Sequence, residues 1–299
     1  MVTPPFLASN DTIGIVATAR KISSEELQPF LSMLQLWGLK YVLGKSINAE
    51  DHQFAGNDAL RAEDLQAMLD DPKIKAIWCA RGGYGTVRII DGLNFSEFIK
   101  NPKWIIGYSD VTVLHSHIHN LNIETLHANM ALELDLKTSD SRNSIKQVLS
   151  GKGYEIEVSS EENKMNRQGS AKGKLVGGNL SLLYSLIGSP SEIKTEGKIL
   201  FIEDLDEMLY HIDRMMQNLK RNDLLKDLAG LIVGGMTDMK DNTVPFGKTA
   251  EEIIIETVSE YDYPVCFNFP AGHVNNNNAL IMGREVRLDV MEKLVKLRF

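Results

Sequence analysis

The sequence predicts an α/β protein built on a parallel sheet with helices on both faces. Three observations predict it. Apolar, β-rich runs alternate with amphipathic stretches four times in the first 120 or so residues, turns rich in glycine or serine follow the apolar runs, and the pattern breaks once in a polar stretch before resuming. A chain of 299 residues, 43% hydrophobic and 24% charged, has room for two compact domains. The break places them at 1–150 and 171–299, with 151–170 as a linker or loop.

Taken in order, Thr12 to Ala19 is a β-rich run, and Ser23-Ser24-Glu25-Glu26 opens an amphipathic helix reaching Trp37. Lys40 to Ile47 reads as strand, Asp58 to Leu69 as helix, Ile74 to Ala80 as strand and Thr86 to Gly92 as helix. Trp104-Ile105-Ile106 is a buried strand, and Val111, Leu114, Ile118 and Leu121 recur behind it at helical spacing. In such a sheet ligands gather at the carboxyl ends of the strands. From Thr138 to Ser170 the chain turns polar, with Ser159-Ser160-Glu161-Glu162-Asn163-Lys164 and Arg167-Gln168-Gly169-Ser170 resembling a connector. Beyond it come a helix from Leu180 to Ile187, a buried strand at Lys198 to Ile202, and a helix carrying Ile212, Met215, Met216 and Leu219. A strand from Leu228 to Val233, a helix from Thr249 to Val258 and a strand from Pro264 to Phe269 follow. A last hairpin, Ala279 to Met282 and Glu285 to Val290 around Gly283-Arg284, closes the chain.

Composition excludes several classes. A net charge of −8 without long runs opposes tight binding to nucleic acid or to an anionic membrane. Met1 to Asp11 lacks a basic segment followed by an apolar core, and no stretch approaches a membrane span, so the expectation is a cytoplasmic protein. Cys79 and Cys266 lie in apolar strand-like runs, where a buried thiol is the default. No cofactor motif is present: the Ala80-Arg81-Gly82-Gly83-Tyr84-Gly85 turn lacks the Gly-Lys-Ser/Thr ending of a P-loop and the spacing of a dinucleotide fingerprint.

The candidate chemistry lies at strand ends. Gly107-Tyr108-Ser109-Asp110 runs from strand into helix through a tight corner, the shape of a nucleophile elbow, although Val111 stands where the usual pattern has its second glycine. Ser109 and Asp110 also suit a helix cap and its dipole. The Gly82-Gly83 turn exposes backbone N–H groups, as a phosphate site or an oxyanion hole requires, or serves as a tight turn. Arg81 beside it suits a substrate carboxylate or an ion pair. His115 and His119, one helical turn apart, are spaced for a shared metal, but no glutamate intervenes as in a zincin and no third ligand is suggested. Acyl transfer needs a nucleophile, a base near neutral pKa and a group orienting the base. Ser109, His273 after its Pro-Ala-Gly corner, and Glu203 at the end of an apolar strand supply one of each, with Asp204 or Glu207 equivalent to Glu203 on spacing alone.

Arg81 to Gly85, Gly107 to Asp110, Gly177-Gly178-Asn179, Gly197 to Asp204, Ile212-Asp213-Arg214 and Gly272-His273, in this order and spacing, resemble the LD-carboxypeptidase family of serine peptidases. That family includes muramoyl-tetrapeptide carboxypeptidases and microcin-immunity peptidases. The resemblance covers almost the whole chain, from Thr12 to the final hairpin. It implies a flavodoxin-like N-terminal domain, a smaller β-rich C-terminal domain, and a homodimer. Carried over by motif, it implies Ser109 as nucleophile, Glu203 as orienting acid and His273 as base. It further implies an oxyanion hole from Asp110 and the Gly82-Gly83 turn, with Arg81 and Asn179 near the substrate, and no metal or cofactor.

The chain departs from the family at Gly272-His273-Val274, at the run Asn275 to Asn278 and at Ala279 to Gly283, where many members carry Gly-His-Gly and Thr-Leu-Pro-Leu-Gly. Residues 156–172 contain no Trp, Tyr or Phe to stack on a nucleobase. The expectation is therefore hydrolysis of the terminal D-alanine of cytoplasmic muropeptide tetrapeptides in wall recycling. The alternatives are a microcin-immunity-type peptidase acting on peptidyl or aminoacyl nucleotides and, from another class, a non-catalytic small-molecule binding protein.

Overall fold

The computed structural model describes residues 1–159 and 164–299. The first sheet takes β1 (Thr12–Val16), helix α1 (Gln28–Leu36), β2 (Lys40–Leu43), α2 (Asp58–Asp70), β3 (Ile74–Cys79), α3 (Ser96–Lys100), β4 (Trp104–Gly107), α4 (Thr112–Asn120), β5 (Thr125–His127) and α5 (Ser139–Leu149). Its five parallel strands lie in the order β5-β4-β3-β1-β2, the doubly wound order in which the chain reverses direction across the sheet. The run from Ser23 becomes helix only at Gln28, with Pro29 in its first turn, where a proline gives up an N–H that would be unbonded anyway. The stretch from Thr86 to Gly92 is not the helix its apolar spacing predicts. It makes two short 3₁₀ turns, Thr86–Arg88 and Ile90–Gly92, with the Thr86 N–H donated across to Asp110 Oδ2. One face of the sheet buries Phe30, Leu31, Ile145 and Val148 of α1 and α5 against Trp78 and Trp104. The other buries Leu65, Met68, Phe98, Val113 and Ile118 of α2, α3 and α4.

The second sheet uses β6 (Glu155–Ser159), β7 (Gly169–Asn179), helix α6 (Leu180–Ser185), β8 (Ile199–Leu205), α7 (Leu209–Arg221), β9 (Gly230–Thr237), α8 (Ala250–Thr257) and β10 (Val265–Cys266). It is completed after β11 (Leu280–Met282) by β12 (Glu285–Val290) and β13 (Leu294–Arg298). The order is β10-β9-β8-β7-β12-β13-β6, parallel up to β7 and antiparallel beyond it. Helices α6, α7 and α8 cover one face through Leu183, Ile212, Met215, Met216, Ile253 and Ile254. Among the described residues no helix is long and apolar enough to cross a membrane.

Two expectations change. Within the polar stretch 151–170, residues 155–159 pair with β13 and 169–170 already belong to β7. Alternating polar residues face solvent on these strands, which makes them read as loop. The rest of that expectation, on residues 160–163, lies outside the described residues. The Gly283-Arg284 turn also makes no hairpin. β11 leaves the second sheet and runs antiparallel to β5, pairing Leu280 with His127 and Met282 with Thr125, whereas β12 pairs with β7. Leu280, Ile281 and Met282 are apolar on both faces and are buried on both. The crossing is held by Arg284, whose Nε and Nη2 donate to the two carboxylate oxygens of Glu124 at 3.1 and 2.6 Å. The hairpin at the end of the chain joins β12 to β13 instead.

Candidate active site

The corner after β4 is strained. Tyr108 is extended, and Ser109 then takes φ +59°, a left-handed conformation that costs a non-glycine residue about 1–3 kcal/mol and persists only where the surroundings impose it. A strained serine between a strand and a helix is the geometry of a nucleophile elbow. Asp110 does not serve as a solvated cap. It is buried, its Oδ2 accepts the backbone N–H of Thr86 at 2.8 Å, and burial raises its carboxyl above the usual range. Thr86 Oγ1 in turn lies 2.8 Å from Thr18 Oγ1. Beneath them Arg61, 1% exposed, donates to the carbonyls of Thr18, Gly85 and Gly56 and pairs with Asp58. A guanidinium spent on three backbone carbonyls ties together the segments that follow β1, β2 and β3.

The glycine turn after β3 closes over this corner. A Cβ at Gly82 would lie 3.3 Å from the Cβ of Ser109 and 3.0 Å from Met130 Cε, so Gly82 is backbone pressed against Ser109. Arg20 lies across the neighbouring Gly83, its Cδ 2.6 Å from where a Cβ would stand. Arg81 donates Nη1 to the carbonyl of Lys21 at 3.1 Å and lines a cavity of about 300 Å³ with Lys21, Glu26, Asn48 and Glu50.

Of the three acids that spacing left equivalent, Glu203 alone meets His273. It is wholly buried on β8, and its Oε2 accepts both Nδ1–H of His273 at 2.6 Å and the backbone N–H of the same residue at 3.1 Å. Gly272 permits the approach, with φ +100° and no room for a Cβ, which would stand 2.7 Å from Glu203. A carboxylate accepting Nδ1–H leaves Nε2 free to take a proton. The imidazole packs 4.7 Å from the ring of Tyr108, the residue before Ser109, which brings the turn at residue 272 beside the corner after β4. Asp204 instead takes Nδ2 of Asn179 and the N–H of Ser181, both at 2.9 Å, and burial followed by the charge of Glu203 pushes its carboxyl up to about 7. Glu207 takes Nδ1 of His211 at 2.6 Å.

Asn179 is buried and its amide is occupied. Oδ1 caps α6 at Leu182, Nδ2 binds Asp204, and its backbone N–H donates to Thr112 Oγ1 at 3.0 Å, joining β7 to the first turn of α4. Both ring nitrogens of His115 are engaged, with Thr125 Oγ1 at 2.8 Å and the Gly107 carbonyl at 2.9 Å, and burial pushes the ring down to about 4. His119 meets Lys198 Nζ at 2.8 Å. Among the described residues no cluster of three or more His, Cys, Asp or Glu is arranged to hold a metal. Cys79 and Cys266 are buried and their thiols are pushed up to about 12.

Sequence reasoning missed Arg20, Arg61, Thr86 and Tyr108. Tyr108 had a signal, its place beside the nucleophile; a buried arginine inside a polar helix had none.

Residues 13–128 match the LD-carboxypeptidase N-terminal domain, and residues 172–288 match the LD-carboxypeptidase C-terminal domain. The chain is 37% identical to a probable murein peptide carboxypeptidase of Bacillus subtilis over 301 residues, covering 97% of this chain and 92% of the relative. Its fold is shared with the crystal structure of muramoyltetrapeptide carboxypeptidase from Oxalobacter formigenes, with a TM-score of 0.87 at 24% identity over 96% of this chain and 98% of that one. It is shared equally with the microcin C7 self-immunity protein MccF, with a TM-score of 0.86 at 23% identity over 98% and 97% of the two chains.

Proposed function

The chain belongs to the LD-carboxypeptidase family and is a serine-type carboxypeptidase, and from that premise we propose that it removes the terminal D-alanine of muropeptide tetrapeptides in the cytoplasm during wall recycling. Ser109 attacks the scissile carbonyl while Nε2 of His273 takes its proton. Glu203, bonded to Nδ1, holds the ring in the reactive tautomer and stabilises the imidazolium. The developing oxyanion is received by the backbone N–H of Asp110 and of the Gly82-Gly83 turn. His273 then protonates the departing amine, and a water activated by the same imidazole cleaves the acyl-enzyme. Arg81 serves the terminal carboxylate of the substrate.

The observation that carries this reading is the buried Glu203–His273 hydrogen bond, with the His273 ring 4.7 Å from that of Tyr108, the neighbour of the strained Ser109. Mass spectrometry of a tetrapeptide muropeptide incubated with the protein tests it: the wild type releases one alanine and Ser109→Ala releases none. An aminoacyl nucleotide offered to the same preparation separates the substrates, since cleavage of the nucleotide alone overturns the muropeptide assignment. A fluorophosphonate probe labelling Ser109 speaks against mere binding.

A further inference from the structure

The run Asn275 to Asn278, a departure from the family's usual sequence, takes no part in the chemistry above, yet its third member is wholly buried. Asn277 Oδ1 accepts the backbone N–H of Gly272 at 2.9 Å, and its Nδ2 donates to Asn129 Oδ1 at 3.1 Å. The carbonyl of Asn277 accepts Nδ2 of Asn129 at 3.2 Å and Oγ of Ser141 at 2.7 Å, and Asn129, itself buried, also donates to Ser141 Oγ at 2.6 Å. The neighbours close the same loop: Asn278 donates its backbone N–H to the carbonyl of Pro270 at 2.8 Å, and Asn276 accepts from Thr138 Oγ1 at 2.7 Å.

Two consecutive amides are thus gripped from two sides, Gly272 N–H by Asn277 and His273 N–H by Glu203. Asn129 follows β5, so the grip comes from the sheet that carries Ser109 and not from the sheet that carries Glu203. We propose that Asn277 is a positioning residue for catalysis, which through Gly272 registers the imidazole of His273 against the nucleophile's sheet. Alanine leaves the Gly272 amide and Asn129 unpaired in a buried place, whereas aspartate keeps the acceptor for Gly272, the bond that bears on His273, and gives up only the donor to Asn129. The inference rests on His273 being the base.

Steady-state kinetics on a tetrapeptide muropeptide test it, since a misplacement of about 1 Å at a reacting group costs on the order of 10²-fold. Asn277→Ala is expected to lower kcat by roughly 30-fold or more with KM within about threefold, and Asn277→Asp, which keeps the acceptor for Gly272, to recover to within about fivefold of wild type. Thr138→Ala removes the other tie of the loop together with the cap of α5; it is expected to melt earlier while holding kcat within about twofold. The proposal is overturned if folded Asn277→Ala keeps kcat within twofold, or if Thr138→Ala loses kcat as steeply for the same fall in melting temperature. Should Asn277→Ala not fold, Asn277→Asp decides, and a loss as deep as 30-fold there rejects the proposal. Ser109→Ala, run alongside, tells the two failures apart: turnover retained there sinks the mechanism, whereas an inert Asn277 beside a dead Ser109→Ala sinks this inference alone.

Discussion

His273 and His127 are neighbours of a single phenol ring, that of Tyr108, at 4.7 and 5.9 Å, and their chemical situations are opposite. The His273 side chain is 13% exposed and hydrogen-bonded to a buried carboxylate. His127 has no exposure and, among the described residues, no hydrogen-bond partner on either nitrogen; it packs edge-on against Phe201 at 5.0 Å, and burial, with the charges of His115 and His273, holds its imidazole well below the ordinary range. An imidazole becomes a base when a carboxylate fixes one nitrogen and leaves the other open. Walled in by rings, the same group is packing material that stays neutral.

The comparison is broken most severely by removing the partnered ring. His273→Ala is expected to lower kcat by about 10⁴-fold, measured as release of alanine from the tetrapeptide. Next in size, Glu203→Gln keeps the shape but replaces the acceptor, and turnover is expected to fall about 10³-fold; its effect and that of His273→Ala are not additive when combined. If either variant remained within tenfold of wild type, the contrast between the two histidines would have no catalytic meaning.

His127→Phe sharpens the contrast. It is expected to leave kcat within about threefold and to raise the melting temperature by roughly 2–4 °C, because an unpaired buried polar group is exchanged for an apolar ring of similar shape. The sign with pH follows from the depressed folded value. Below about pH 6.5 the unfolded chain takes up a proton that folded His127 refuses, so stability falls as the solution is acidified. The variant should lose this component, flattening the acid side of the stability curve by about 1.4 kcal/mol per pH unit, measured by denaturant titrations from pH 6.5 downward. Asp204 supplies the smallest effect and the reverse sign. With its folded value raised from 3.8 to about 7, its contribution is full below about pH 4 and is lost as the pH climbs through 7. Asp204→Asn should therefore gain on the wild type over that interval; a stability difference independent of pH would contradict the assignment.

Much of this was legible in the sequence, for physical reasons. The parallel sheet could be read because Ala76 to Cys79 and Trp104 to Gly107 are buried on both faces and announce themselves as apolar runs. The family motifs pointed to Glu203 and His273, whereas spacing left Glu203 equivalent to Asp204 and Glu207, since that choice depends on which carboxylate a turn at residue 272 reaches. The strands Glu155–Ser159 and Leu294–Arg298 escaped because alternating charged residues at a sheet's margin resemble loop. Asn277 was visible as part of a run but not as a clamp, because its partners Gly272 and Asn129 are 5 and 148 residues away in the chain. Arg61 gave no warning, since an arginine in a polar helix is ordinarily solvated.

The strand Leu280–Met282 makes the order of synthesis matter. The edge of β5 waits for a partner that emerges from the ribosome some 150 residues later, roughly ten to thirty seconds at ordinary translation speeds. Through that interval the nascent half holds an open ladder of backbone groups, a site for chaperone capture or for pairing with another nascent chain. Two units that family comparison distinguishes should on this account melt as a single calorimetric transition, and neither half expressed alone should reach its native state.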